Sequence, residues 1–155
     1  MTPLPYEYLS TKGEVGQAWG VWLSGLADWD WWVTLTFRDP PAEALARGWT
    51  RPGWSYAKGG WRDFVGAVRP ALGPLAWVRG FEIQKWRGAP HIHALVGGLD
   101  DTRYAPVGLW WWNKYGMCHI EEYNAELGAG YYLCKYVSKG LADLAFSDMM
   151  PGKMS

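Results

Sequence analysis

The sequence predicts an α+β fold in which helices cover an antiparallel sheet. Segments whose apolar residues recur at helical spacing alternate along the chain with segments rich in β-branched and aromatic residues. Two strand-like segments follow one another across a hairpin-sized connection, and strands joined in this way are antiparallel. A chain of 155 residues is long enough for one sizeable core, so residues 1–155 are expected to form a single domain.

The first half of the chain predicts two long helices and one strand. Apolar residues between Lys12 and Ala27 recur at three- and four-residue spacing, as in an amphipathic helix, although four glycines count against its full length. The aromatic and β-branched run at 31–37 is the clearest strand, and a short turn of helix is expected at 42–47. Ser55 is the expected N-cap of a second helix, whose apolar pattern extends to Leu72.

The second half of the chain predicts three strands and two helices, followed by a loose tail. The same periodicity arguments apply, with glycines marking several of the boundaries. In chain order, the predicted segments are a strand at 75–84, a hairpin connection at 85–89, a strand at 90–96, a helix near 107–113, a strand at 117–121, a helix at 126–141 and a tail at 145–155.

Composition argues against coating of nucleic acid by bulk charge but leaves aromatic recognition open. The formal net charge is zero, whereas thirteen tryptophans and nine tyrosines exceed what one core of this size needs. Exposed rings can stack any single-stranded base; the alternative is a tryptophan-rich core with a partner interface. No apolar run reaches the ~20 residues of a membrane span, and no signal pattern begins the chain. Cys118 and Cys134 are too few for a disulfide framework, so an intracellular protein with free thiols is expected.

Two of the chain's three histidines lie on one predicted strand. Successive strand side chains point to opposite faces, so His91 and His93 share a face ~7 Å apart, and Ile92 takes the other. They are either surface histidines or a pair that can turn toward one metal ion. Glu82, unless it is only a solvated strand residue, can face them across the hairpin, with Gln84 as a water-bridging group. A carboxylate with two imidazoles suits Mg²⁺ or Mn²⁺ rather than four-ligand structural zinc.

The predicted last helix repeats the pattern Tyr-x-x-Lys twice. Tyr132 and Tyr136 are four residues apart and share one helical face, with Lys135 and Lys139 on an adjacent stripe. A phenol is a poor nucleophile unless a neighbouring cation or an activated electrophile assists it, and a lysine one turn away can hold a phosphate oxygen or favour the phenolate. The alternative is a helix with tyrosines at the core boundary and lysines in water.

Three ordered motifs resemble those of the HUH endonucleases, specifically the rolling-circle replication initiators of plasmids and phages. Residues 32–37 resemble the first motif, a hydrophobic strand containing two threonines. His91-Ile92-His93 fits the name-giving pair of histidines around a hydrophobic residue. Residues 132–139 resemble the two-tyrosine third motif of the phage-type initiators. The resemblance spans about 15–141.

The resemblance implies a ferredoxin-like (RRM-like) core with about five antiparallel strands, and single-stranded DNA as the substrate. It implies that Glu82, His91 and His93 hold Mg²⁺ or Mn²⁺ against the scissile phosphate as a Lewis acid. A tyrosine would attack to form a 5′-phosphotyrosine and free a 3′-OH that primes synthesis, and reversal would rejoin the strand.

The resemblance leaves open which tyrosine attacks. Tyr132 is the first choice and Tyr136 the second, and the two would alternate if both act. Lys135 would orient the phosphate or the nucleophile, and Lys139 would add local positive charge. Tyr131, rotated about 100° from Tyr132 on the helix, is expected off the active face.

Further residues are expected to contact DNA, and three tryptophans at 110–112 either stack bases or belong to the core. The chain has no Gly-x-x-x-x-Gly-Lys-Ser/Thr loop, so the helicase domain of some relatives is not expected, and a host replication helicase or polymerase would be a partner. The expected location is the cytoplasm of a bacterial host, with a plasmid or phage as the source and no membrane contact. The expected DNA contacts are Thr34, Thr36, Arg38, Gln84, Lys85, Trp86 and Arg87.

Three alternatives stay open from the sequence. The same chemistry could serve a transposase or relaxase. A non-catalytic RRM-like module could bind single strands through its aromatic residues. A metalloenzyme with a His/His/Glu site could act on a substrate that is not nucleic acid.

Overall fold

Five strands and five helices make up the part of the chain that the computed structural model describes, residues 12–68, 75–83, 89–139 and 144–147. Side-chain positions are described for these residues except 12–17 and 134–139. The elements in chain order are α1 (Lys12–Ser24), β1 (Trp29–Leu35), α2 (Ala42–Ala46), α3 (Trp54–Ala67), β2 (Ala76–Ile83), β3 (Pro90–Gly97), α4 (Ala105–Lys114), β4 (Cys118–Glu122), α5 (Gly128–Lys139) and β5 (Leu144–Phe146).

The strands form one antiparallel sheet in the order β4-β1-β3-β2-β5. The histidine-bearing strand β3 is therefore central, with β1 on one side and β2 on the other. Its register sets Glu82 opposite His91 on β2, and Thr34 opposite His93 on β1. The predicted α+β fold with a five-stranded antiparallel sheet and flanking helices is confirmed.

Side-chain alternation along the strands creates one core on each face of the sheet. In β1 and β3 the alternate residues Val33, Leu35, Ile92 and Ala94 are fully buried on the face covered by α3 and α4. The other face carries Leu95 and lies under α1 and α5. The second core contains Trp19, Leu23, Trp29, Val78, Leu95, Ala129, Tyr132 and Leu133.

A glycine contact allows α1 and α5 to approach closely. A Cβ atom placed on Gly20 would lie 2.9 Å from the Cα of Gly130, so neither position has room for a larger residue. The Ser24 hydroxyl donates to the Gly20 carbonyl at 2.7 Å and accepts from the Ala129 amide at 2.9 Å. The glycines that weakened the prediction of α1 thus serve its packing, and the serine fixes the start of α5.

Two sequence predictions about local structure are wrong. Ser55 is not the N-cap of α3, because the helix begins one residue earlier with Gly53 in the cap position and without a side-chain cap. The predicted tail begins too early, because β5 pairs Ala145 and Phe146 with β2 and Ser147 is buried beside Trp77. A three-residue strand is too short to show a periodicity, and a partner distant in sequence forms it.

The predicted connection at 85–89 falls on residues 84–88, which lie outside the described part, as do Leu72 and 148–155. Among the described residues, no helix has the length and apolar character needed to cross a membrane.

Candidate functional site

Glu82, His91 and His93 lie together on the sheet face that α5 covers. Glu82 is the cross-strand partner of His91, and cross-strand partners project to the same side of a sheet. His93 follows two residues later on that side, and Leu95 continues the same row into the core beneath α5. All three candidate ligands are partly buried. The sequence argument from strand alternation and a hairpin therefore predicted their common face.

The ring of His93 is held by two residues of β1. The Thr34 hydroxyl lies 3.1 Å from Nδ1 of His93. The Trp32 indole stacks on the imidazole with a 5.7 Å centroid distance and a 15° interplanar angle. Which atom donates in the Thr34 contact depends on the imidazole tautomer. With Nδ1 engaged by the threonine, Nε2 is the atom that can bind a ligand.

The donor set fits a divalent cation by its chemistry, but its side chains have not closed around one position. The rings of His91 and His93 are 6.1 Å apart between centroids, at an interplanar angle of 61°. Within the described ranges, no three His, Cys, Asp or Glu side chains form a group that could hold a metal ion. Two imidazoles and a carboxylate on one face are suitable ligands for Mn²⁺ or Mg²⁺. Rotations of these side chains about their χ angles would be needed to bring them onto one ion.

Tyr132 reaches this region from α5, but its hydroxyl is engaged. The side chain is only 9% exposed, and its oxygen accepts a hydrogen bond from the Asn124 amide at 3.0 Å. Its ring contacts Trp32 at 5.2 Å and Tyr123 at 5.4 Å between centroids. Trp32 thus lies in contact with both His93 and Tyr132. By contrast, Tyr131 is 63% exposed.

The backbone of α5 continues for two turns beyond Tyr132 and carries the other predicted catalytic residues. Lys135, Tyr136 and Lys139 belong to this helix, and their side chains are outside the description. Four predicted DNA contacts are at positions that the description omits: Gln84, Lys85, Trp86 and Arg87.

The remaining predicted DNA contacts have structural partners. The Thr36 hydroxyl accepts from the Met117 amide at 2.9 Å, which ties the end of β1 to the start of β4. Arg38 donates to the Trp112 carbonyl, and its guanidinium carbon is 5.6 Å from the Trp112 ring centroid. Of the three tryptophans that could stack bases or fill the core, Trp111 is fully buried, whereas Trp112 is 52% exposed. Both uses of tryptophan therefore occur in one helix.

Two titratable groups outside the histidine site have shifted pKa values. The Tyr115 hydroxyl donates to Asp63, and this bond, with a second from Lys114 at 3.1 Å, lowers the pKa of the Asp63 carboxyl. Burial, together with the same carboxylate, raises the pKa of Tyr115. Burial also raises the pKa of the Cys118 thiol to about 12, so this cysteine is not an activated nucleophile.

Sequence reasoning missed the roles of Trp32 and Asn124. The sequence places Trp32 only in a strand motif, although its position two residues before Thr34 puts both on the same face as the histidines. No sequence signal identifies Asn124, because its backbone amide, not its side chain, makes the contact with Tyr132.

Comparison with known proteins identifies a family. The model of a family described as replication-associated protein, of the ORF2 type, matches residues 30–141, from β1 through α5. No curated protein and no solved structure gives a significant match. The family description supports a role in the initiation of replication. Since the match covers well over half of the 155 residues, the chain belongs to this family of ORF2-type replication-associated proteins.

Proposed function

We propose that the chain is a HUH endonuclease that nicks and rejoins single-stranded DNA to initiate rolling-circle replication. The observation that carries the proposal is the pairing of Glu82 with His91, beside His93, on the face covered by the tyrosine-bearing helix α5. Family membership supports the setting in replication. The DNA would be an origin on a plasmid or phage in a bacterial cytoplasm, and a host helicase or polymerase would extend the freed 3′ end.

Glu82, His91 and His93 would hold one Mg²⁺ or Mn²⁺ ion, which when bound polarises a phosphate oxygen as a Lewis acid. The chain's own contribution is orientation. Thr34 engages Nδ1 of His93, so that Nε2 is presented to the ligand side, and the Trp32 stack restricts rotation of the ring. The partial burial of the site limits competition from water for the bound phosphate.

The cleavage step is a transesterification. The phenolic oxygen of a tyrosine attacks the phosphorus, a new O–P bond forms, and the P–O3′ bond breaks. The phenol loses its proton and the departing 3′ oxygen gains one, so neither water nor a redox partner is consumed. The product is a 5′-phosphotyrosine and a free 3′-OH. Attack by a 3′-OH on the phosphotyrosine reverses the step and joins strands.

The surroundings of Tyr132 favour Tyr136 as the first nucleophile, which reverses the order expected from sequence. Tyr132 would have to give up the hydrogen bond from Asn124 and leave its packing against Trp32 before it could attack. Tyr136 lies one helical turn further along α5, about 6 Å along the axis. In this assignment Tyr132 acts in a later cleavage or only supports Trp32, while Lys135 and Lys139 orient the phosphate.

The test is capture of a covalent protein–DNA adduct. The protein is incubated with Mn²⁺ and a library of single-stranded hairpins with randomised loops, and SDS-resistant adducts are isolated and sequenced. Adducts are expected with Mn²⁺, are expected to disappear with EDTA, and are expected to be lost in His91→Ala while library binding persists. Binding of the library without any adduct would refute the nuclease and favour a non-catalytic module.

Single tyrosine variants assign the nucleophile. Tyr136→Phe is expected to abolish adduct formation, whereas Tyr132→Phe is expected to retain it because phenylalanine preserves the ring packing. Peptide mapping of the adduct identifies the modified tyrosine directly. The opposite pattern would make Tyr132 the nucleophile, and an adduct in the double variant would exclude both residues.

A further inference from the structure

A cavity of about 670 Å³ opens beside the loop that follows β1, away from the histidine pair. Its volume is within the ~300–1,000 Å³ typical of small-molecule sites. The loop between β1 and α3, the first turn of α3 and the end of α4 form its walls. The lining residues that matter for recognition are Arg38, Trp49, Arg51, Trp54, Tyr56 and Lys114.

Three aromatic side chains in this cavity face solvent instead of the core. Trp49 is 62% exposed, Tyr56 is 52% exposed and Trp54 is 41% exposed. Two of them are braced from behind, since Trp54 packs on Phe81 at 4.7 Å and Tyr56 packs on Phe37 at 5.5 Å between centroids. The cavity therefore offers flat apolar surfaces, two of which are oriented before a ligand arrives, which limits the entropy lost on binding.

Positive charge predominates on the same wall. The lining contains Arg38, Arg51 and Lys114 against the single carboxylate of Asp39. Arg51 is 3.4 Å from Asp39, and Lys114 is 3.1 Å from Asp63, both in solvent-exposed pairs. Exposed pairs of this kind contribute only about 0–1 kcal/mol, so a phosphate can displace them. In a chain of zero net charge, this local excess of cations is suited to an anionic ligand.

Aromatic faces next to cations are the combination that binds unpaired nucleotides. A base stacks on an exposed ring, and the adjoining phosphate contacts an arginine or lysine. Bases inside a duplex have their faces covered by neighbouring pairs, so the cavity would select single strands. A proline-rich peptide also uses aromatic grooves, but it offers no phosphate to the three cations.

We propose that this cavity is a second DNA-binding site, in which an unpaired base stacks on Trp49 or Trp54 and its phosphate contacts Arg51 or Lys114. The choice of DNA as the nucleic acid rests on the proposed function. The cavity nevertheless acts by binding alone, without the ligands of the histidine site. Phe81 links the two regions, because Trp54 packs on its ring and Glu82 follows it on the opposite face of β2. A strand bound in the cavity would thus be held near the end of the sheet that carries Glu82.

The test measures binding separately from cleavage. Fluorescence anisotropy is recorded for a labelled oligothymidylate of about 12 nucleotides, within the ~4–16 nucleotide range of single-strand sites, in the His91→Ala background. Trp49→Ala is expected to weaken binding about fivefold to hundredfold, the range for loss of one base–aromatic stack. Arg51→Ala is expected to lower the slope of log K against log salt by about 0.7.

Matched controls come from the other side of the molecule. Tyr104 is 47% exposed and Arg103 pairs with Asp101 at 2.7 Å, and neither lines the cavity. Tyr104→Ala and Arg103→Ala are expected to leave affinity and salt slope unchanged. As a direct readout, a strand carrying 5-iododeoxyuridine is expected to photocrosslink to Trp49, Trp54 or Tyr56.

The outcomes separate the two proposals. Unchanged binding in both cavity variants, or crosslinks only outside the cavity, would overturn the second site whether or not the protein nicks DNA. Displacement of bound peptide but not of DNA by these variants would identify a peptide groove and would also overturn it. Loss of DNA binding in the cavity variants without any covalent adduct from the wild type would retain the site and refute the nuclease.

Discussion

Replacing Thr34 by valine removes the hydroxyl that contacts His93 while keeping a β-branched side chain of nearly the same shape. The hydroxyl oxygen is 3.1 Å from Nδ1 of His93, at a position where β1 and β3 pair directly. Valine is as well suited to a strand as threonine, so the backbone should not change. The variant therefore tests the orientation of the imidazole and little else.

The magnitude follows from the role of that contact. A single hydrogen bond contributes about 0.5–1.5 kcal/mol to stability, so a fall of about 1 kcal/mol in the free energy of unfolding is expected. If His93 is a ligand, loss of the group that orients it should weaken Mn²⁺ binding about 10–100-fold. The effect on metal affinity should thus exceed the effect on stability.

The assay is a Mn²⁺ titration followed by calorimetry and, in parallel, by covalent adduct yield. Thr36→Val is the matched control, because the Thr36 hydroxyl bonds to the Met117 backbone and not to a histidine. The control should lose comparable stability and keep its Mn²⁺ affinity. Equal Mn²⁺ affinity in wild type, Thr34→Val and Thr36→Val would refute the claim that Thr34 orients a metal ligand.

Three further predictions concern stability and reactivity. Gly20→Ala should lower the free energy of unfolding by about 1–3 kcal/mol through overpacking, since its Cβ would lie 2.9 Å from backbone; Gly66→Ala, in the same kind of helix but with open space around the Cβ, should raise it by about 0.5–1 kcal/mol in urea denaturation, and equal effects would contradict the close-contact explanation. Because the pKa of Asp63 is lowered in the folded state, its stabilisation is present above its unfolded pKa of about 3.9 and is lost as pH falls through the lower folded pKa; Tyr115→Phe should therefore reduce the steepness of the acid side of a stability–pH profile, and an unchanged profile would contradict the link. Cys118, with a pKa of about 12, should react with a thiol reagent at pH 8 only as fast as the protein opens, and rapid labelling of Cys118 by mass spectrometry would contradict its burial.

Elements whose signal is local could be read from the sequence. The strand at β1, the histidine strand β3, and the helices α1, α3, α4 and α5 were all predicted, with ends that differ by a few residues. Their apolar periodicity reflects burial of one face, which each segment reveals by itself. The prediction at Ser55 is wrong because a cap depends on which residue first becomes helical, and glycine can hold that position without a side-chain bond.

The sequence by itself determined that His91 and His93 share a face, because strand alternation has a period of two, and it placed Glu82 within reach because a hairpin sets the register of its two strands. Only the tertiary structure decided the rest of the site. The stacking of Trp32 on His93 and the hydrogen bond from Asn124 to Tyr132 join residues from separate elements, and so does the pairing of β5 with β2. Such contacts depend on how elements pack over long stretches of chain, and that packing is settled by burial of the two cores together rather than by any local pattern.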